Sequence, residues 1–400
     1  MTSTEDRATY AQVLAQPVFR TVFVTRTLGI VADTLRIVAL STLVFAATGS
    51  PLLAAVAFGI GFVPQAVGAV GLGALADRVR PRTLIVGGYV IEACAGLAIA
   101  VGRPPVVVIL LIVGGVALFT PVFTGAGNRL IADVLTGDAY VLSRSLAVVA
   151  SSIAQLFGLA VGAAAVATLS PTGALYTTAA AHAVAATWAA IGLPRAAGGG
   201  SGARGTGIRE SWLGTRVLSG DRRVRVLLLA HWVPPAVTTG AEALLIPYAE
   251  RAHFPAGAGG LLLACSPIGM MVGNLAVGRL LAPAARERFV VPLMVLSGLP
   301  LVAFAANPSV PVAAALLLVT GAGYAYALGL QRRFLDAVEE PRRGQAFGLL
   351  HAGMMTCQGL GPAALGLLTE TLPVSTTITA AGVLSILIAA AFAAPLRRLS

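Results

Sequence analysis

The sequence predicts an all-α membrane protein of twelve transmembrane helices in two six-helix lobes, and three observations carry that expectation. Of 400 residues, 57% are hydrophobic and only 11% charged, whereas a soluble domain has roughly 45–50% and 25%. Mean hydropathy over the whole chain is +0.88, so the apolar excess is not one anchor joined to a soluble domain. Apolar stretches long enough to cross a bilayer recur from end to end, with arginines collected between them.

A hydrocarbon core of roughly 30 Å is crossed by about 20 residues at about 1.5 Å each. Twelve stretches meet that test: 20–46, 52–75, 83–101, 105–125, 145–168, 173–193, 224–248, 258–281, 290–306, 310–330, 345–368 and 374–395. They are numbered here as spans one to twelve. Turn formers separate many of them, among them Gly49-Ser50-Pro51, Arg103-Pro104-Pro105, Ser170-Pro171-Thr172-Gly173 and Asn307-Pro308. The polar start Met1 to Gln16 leads into a span too long for the apolar core of a signal peptide, so the first helix is expected to stay in the mature protein.

Arginine sets the expected orientation, because short loops rich in basic residues stay cytoplasmic. All 27 basic residues are Arg, and an inside N-terminus puts 23 of them on the cytoplasmic side. Only Arg103 and Arg251 then lie outside, while Arg26 and Arg36 fall within span one. This placement accounts for the net charge of +11 and the pI near 10.7 without a nucleic-acid partner. The expectation is a monomeric, multi-pass protein of the inner (cytoplasmic) membrane, with the lipid bilayer around it and both termini cytoplasmic.

The domains expected are a first six-helix lobe over 1–193, a cytoplasmic linker over 194–223 and a second lobe over 224–400. Gly198-Gly199-Gly200-Ser201-Gly202 gives the linker a flexible composition. A weak repeat supports the division. Gln155 precedes Gly158 and Gly162 in span five, and Gln358 precedes Gly361, Pro362 and Gly366 half a chain length later in span eleven. In span two Gly71 and Gly73 precede a basic loop, as Gly273 and Gly278 do in span eight.

Between spans two and three the chain reads Gly73-Ala74-Leu75-Ala76-Asp77-Arg78-Val79-Arg80-Pro81-Arg82. Gly73 permits close helix approach, Asp77 can cap or pair near the start of span three, and Arg78 and Arg82 hold the loop inside. The motif resembles the cytoplasmic signature of the major facilitator superfamily, and that resemblance implies a loop that latches helices during alternating access. The stretches Gly29-Ile30-Val31-Ala32-Asp33, Val38-Ala39-Leu40 and Thr48-Gly49-Ser50-Pro51 are similar to the first-helix pattern of the branch with enterobactin-type exporters and multidrug efflux proteins. Gly125-Ala126 through Asp133 looks like that branch's segment after span four, with Gly125 and Ala132 in place of prolines. Gly158-Leu159-Ala160-Val161-Gly162-Ala163 stands where an antiporter motif of the family carries a proline, and Gly278-Arg279-Leu280 repeats the loop motif without its acidic residue.

A charge at the centre of a bilayer costs about 2.5–3.5 kcal/mol on insertion scales, so it normally faces the protein interior and serves a pathway. Asp33 and Arg36 in span one, Glu92 in span three and Glu242 in span seven meet that description. Arg26, Asp33 and Arg36 share one face of a helix, which should line the central cavity. Asp33 is either a proton carrier, at the acidic first-helix position of the resembling exporters, or the counter-charge of Arg36 at i,i+3 spacing. Glu92 has no cation within one turn of its own helix and is a second candidate for proton exchange. Glu242 either binds a cationic substrate or reaches the headgroups. His231 is a further titratable candidate, although Pro234-Pro235 beside it points first to a kink. His182 and His351 receive no role, and Cys94, Cys265 and Cys357 are read as small buried hydrophobes.

Neither a metal nor a cofactor is expected. A membrane-embedded enzyme is disfavoured because the sequence offers no His-rich cluster, phosphate loop or nucleophile and base pair, and a membrane sensor because it offers no appended soluble domain. The reading is a secondary transporter exporting an organic small molecule (drug, siderophore or natural product), with protons moving the other way. Uptake by symport is the alternative.

Overall fold

The computed structural model describes residues 9–72, 79–195, 218, 220–339 and 342–398. The described chain is helical throughout, with no strand among the described residues. Helices are what bilayer chemistry demands of such a sequence, since a helix satisfies every backbone donor and acceptor within its own segment.

Eight described helical stretches are long and apolar enough by themselves to cross a membrane. One of these, Gly137–Gly192, has 56 residues. Straight, it would run about 84 Å at 1.5 Å per residue, far beyond a roughly 30 Å core. It turns at Ser170, whose φ of 71° and ψ of 165° leave the helical region. An extended ψ is what the following Pro171 imposes on the residue before it. The stretch is therefore spans five and six. The remaining spans are helices too polar or too short to stand out: Arg222–Ala243 continued by Leu245–Arg251, Val290–Val302 continued by a tighter turn over Ala303–Ala306, and Arg343–Leu368. Together these segments make the twelve of the expected fold.

Boundaries differ from the sequence reading in an informative way. Span one is Pro17–Thr48 and span four Val106–Val134, each extending past its apolar centre. Span two is broken into Pro51–Gly59 and Phe62–Gly71, and span ten into Val310–Gly323 and Tyr326–Ala337. Starts follow local chemistry. Ser50 accepts the Leu53 N–H at 3.2 Å with Pro51 opening span two, and Asp221 accepts the N–H groups of Arg223 and Val224 at 2.7 and 3.3 Å to open span seven. Outward side chains such as Ile191, Leu280 and Leu111 are more than two-thirds exposed. In water that would be a liability; in lipid it is the expected surface.

The Cα framework falls into two compact units, 1–39 with 67–203, and 40–66 with 204–400. In the first unit, spans one and five meet where Gly158 faces Val31 and Thr34, and Gly162 faces Leu35 and Val38. Spans two and four meet at Gly68 and Leu118, and spans three and six at Gly96 and Ala179. The second unit repeats all three joints half a chain length later. Gly361 faces Ala236 between spans eleven and seven, Gly269 faces Leu318 between eight and ten, and Gly298 faces Ser385 between nine and twelve. Without a side chain, each glycine lets two backbones approach, which is how helices associate in lipid. Of the other repeat glycines, Gly273 faces Ala322 of span ten, and Gly73 lies outside the described residues. Among the described residues nothing approaches Gly71 or Gly278, and Gly68 and Gly269 are the equivalent contacts. Pro362 packs in the second unit against Gly59 of span two, and Gly366 against Leu52.

Candidate functional site

Three spans of the first unit bring five polar side chains together. Gly29 of span one leaves room for the Tyr89 ring, to which an added Cβ would come within 3.0 Å. Gly96 allows spans three and six to close, which carries Glu92 and His182 to the same level. Arg36 then reaches both acids: its Nη2 donates to Asp33 Oδ1 at 2.9 Å, and its Nη1 donates to Glu92 Oε2. His182 Nε2 lies 3.4 Å from the same Asp33 oxygen, and its Nδ1 lies 3.1 Å from the Thr178 carbonyl oxygen. The Tyr89 ring stacks 6.4 Å from the imidazole.

Burial within this cluster is graded. His182 and Glu92 are almost wholly covered, at 1% and 7% of side-chain surface, and Arg36 at 13%, while Asp33 keeps 40%. Asp33 is thus the exposed member of an otherwise enclosed charge network. Isolated charges could not survive such burial; each persists because it is paired. Asp33, Glu92 and His182 each offer a ligand atom within 4.8 Å of the others, a spacing that a metal ion could bridge. Here the cation bridging the two carboxylates is the Arg36 guanidinium, one positive charge between two acids.

The i,i+3 pairing of Asp33 with Arg36 is thus present, joined by a partner that was not visible along the sequence. Glu92 has no cation on its own helix, and Arg36 reaches it from another. Arg26, on the same face, donates instead to Asn128 Oδ1 of span four at 3.5 Å, an acceptor shared with Arg144 at 3.1 Å. His182 received no role from the sequence, where a single histidine in an apolar run has no signature; only its approach to Asp33 marks it.

In the second unit Glu242 lies two residues before the break at Leu244 that divides span seven. Its surroundings include the Ser266 hydroxyl of span eight and Tyr324 at the break of span ten. The Tyr324 hydroxyl is bonded to that of Thr238. His231 stands apart from these groups: its Nδ1 donates to the Leu227 carbonyl at 2.8 Å and its ring packs 6.0 Å from Phe334, within an apolar cluster of Leu227, Val224 and Leu330. Of the loop motif, Gly73, Asp77 and Arg78 lie outside the described residues. Arg82 is described, and its Nη2 donates to the Ala190 carbonyl at 2.5 Å in the last turn of span six, where a cation complements the helix dipole.

The family model of the Major Facilitator Superfamily matches residues 22–329 and 243–399. The chain belongs to the major facilitator superfamily. It is a membrane transporter of the secondary kind rather than an enzyme. Among solved structures, the fold is similar to that of the nucleoside transporter NupG, with 15% identity, a TM-score of 0.72, and 94% of this chain and 98% of that one covered. It is also similar to a bacterial homologue of the human lysosomal transporter Spinster in an inward-facing, unoccupied conformation, with 15% identity, a TM-score of 0.71 and 96% of both chains covered. A POT family transporter in complex with 5-aminolevulinic acid gives 8% identity, a TM-score of 0.74 and 96% coverage of both. At these identities the likeness is one of fold. The search of curated proteins matches nothing.

Proposed function

We propose that this major facilitator protein exports an organic small molecule across the cytoplasmic membrane by proton antiport with alternating access. The observation that carries the reading is the enclosed network of Asp33, Arg36 and Glu92, open at Asp33. Intramembrane ionisable groups are expensive and are retained for pathways and proton relays. A network of two carboxylates and one guanidinium with an exposed acid has a place for one more positive charge. Fold-level likeness to nucleoside, Spinster-type and POT transporters favours a small organic cargo. The resemblance of Gly29 through Asp33 and of Thr48 through Pro51 to the enterobactin-exporter and efflux branch favours export.

In this reading Glu242, with Tyr324, Thr238 and Ser266 around it, serves substrate from the second unit, and the Asp77-Arg78 loop biases the two access states. The same reading has both termini and the 194–223 linker inside, supported by the arginine bias. Everted membrane vesicles test the reading: a panel of drugs, siderophores and nucleosides is offered with and without an inward-acid proton gradient. Accumulation driven by that gradient supports export. Accumulation in right-side-out vesicles with acid outside would mean symport, and gradient-independent flux in both would refute proton coupling.

A further inference from the structure

We infer that His182 and Asp33 together hold one proton, shared across their 3.4 Å contact, and that this pair is the protonation site of the transporter. The argument starts from hydrogen-bond polarity. The Thr178 carbonyl, 3.1 Å from His182 Nδ1, can only accept, so Nδ1 carries a hydrogen. In a neutral ring Nε2 would then present a lone pair to Asp33 Oδ1. An ionised Asp33 also presents a lone pair there. Two acceptors facing one another repel, and one added proton, whether on Nε2 or on Oδ1, turns that repulsion into attraction.

Charge balance gives the same count independently. Asp33 and Glu92 together carry two negative charges, and Arg36 supplies one positive charge to both. The network therefore has one negative charge left over in a place where unpaired charge is costly. Among the described residues, the other titratable and charged groups near the imidazole come from spans three and one. From span three come Tyr89, stacked on the ring, and Glu92, already bonded to Arg36. From span one come Asp33 and Arg36, while Arg26 is turned to Asn128. One proton on the His182–Asp33 pair makes the network neutral. Its loss returns a neutral imidazole, an ionised Asp33 and a net charge of minus one. Asp33, as the exposed member, is where the proton enters and leaves; His182, almost fully covered, is where it is retained.

This inference rests on the proton-coupled reading of function, but its test does not need transport. The probe is the proton itself, read by 15N NMR of the full chain in nanodiscs at pH 7 with labelled histidine. The four histidines are told apart with a chain carrying His231→Gln, His253→Gln and His351→Gln, and confirmed by loss of the signal in His182→Gln. The expected spectrum has hydrogen on Nδ1 and an Nε2 that is either protonated or strongly shifted by a hydrogen bond from Asp33. Asp33→Asn, whose amide donates without an extra proton, should leave a neutral ring with hydrogen on Nδ1 alone. A neutral wild-type ring with hydrogen on Nε2, or a free Nε2 lone pair unaffected by Asp33→Asn, would overturn the inference. A bound proton without proton-driven flux would remove antiport and leave the site standing; flux with a neutral Nε2–H ring would do the reverse.

Discussion

Gly158 faces Val31 so closely that a Cβ on the glycine would stand 2.7 Å from the Val31 carbonyl oxygen. The contact joins span five to span one just before Asp33, and its counterpart Gly361 meets the Ala236 backbone in the second unit. Because backbone cannot move aside as a flexible side chain can, Gly158→Ala and Gly361→Ala should each destabilise the protein by about 1–3 kcal/mol, the usual cost of overpacking. Gly87→Ala is the control, since nothing lies within 4 Å of its Cβ position among the described residues. Thermal unfolding in one detergent should rank both interface variants below the wild type and leave Gly87→Ala level with it or above.

A second expectation concerns the ion-pair network. Arg36→Gln removes the guanidinium bonded to both Asp33 and Glu92 and strands an enclosed carboxylate, which typically costs about 3–5 kcal/mol. Neutralising the stranded partner should return most of that loss, so Arg36→Gln with Glu92→Gln should unfold later than Arg36→Gln alone. Additive losses in a double-mutant cycle of thermal stability would show that the two side chains are not coupled.

The twelve spans were legible because bilayer thickness fixes a length that apolar runs such as 105–125 and 374–395 declare directly. Their breaks were not. The interruption of span two falls at Gly59-Ile60-Gly61, with Pro64 following, and that of span ten after Gly321-Ala322-Gly323, but such residues also stand inside unbroken spans such as eleven and do not announce a break by themselves. Gln155-to-Gly158 and Gln358-to-Gly361 disclosed one joint of the repeat, while Gly68 and Gly269 could be recognised only by what they touch. Asp33, Arg36 and Glu92 were marked by charge in an apolar setting. That Arg36 serves Glu92, and that His182 approaches Asp33, are tertiary facts between helices far apart in sequence.

Topology supplies a third expectation. With 23 of 27 arginines assigned inside, single cysteines placed at Gly200, in the linker outside the described residues, and at Ala256, after span seven, should be labelled from opposite sides of the membrane. A membrane-impermeant maleimide applied to intact cells should reach the second position only. Labelling of both from one side would overturn the orientation.

The loop motif gives a fourth. Asp77→Asn should slow transport several-fold while leaving insertion and thermal stability near wild type, because a latch shifts the balance of two access states without touching the substrate site. Initial rates at matched expression check it. Unchanged rates would reduce the Asp77-Arg78 spacing to a topology signal.

Proton coupling through Asp33 can be read from one comparison in proteoliposomes. For a substrate found in the vesicle panel, wild type and Asp33→Asn are measured in two modes: accumulation driven by a proton gradient, and exchange of labelled for unlabelled substrate with no gradient. Asp33→Asn should keep exchange within a few-fold of wild type and lose gradient-driven accumulation. Gradient-driven accumulation by Asp33→Asn equal to that of wild type would contradict it.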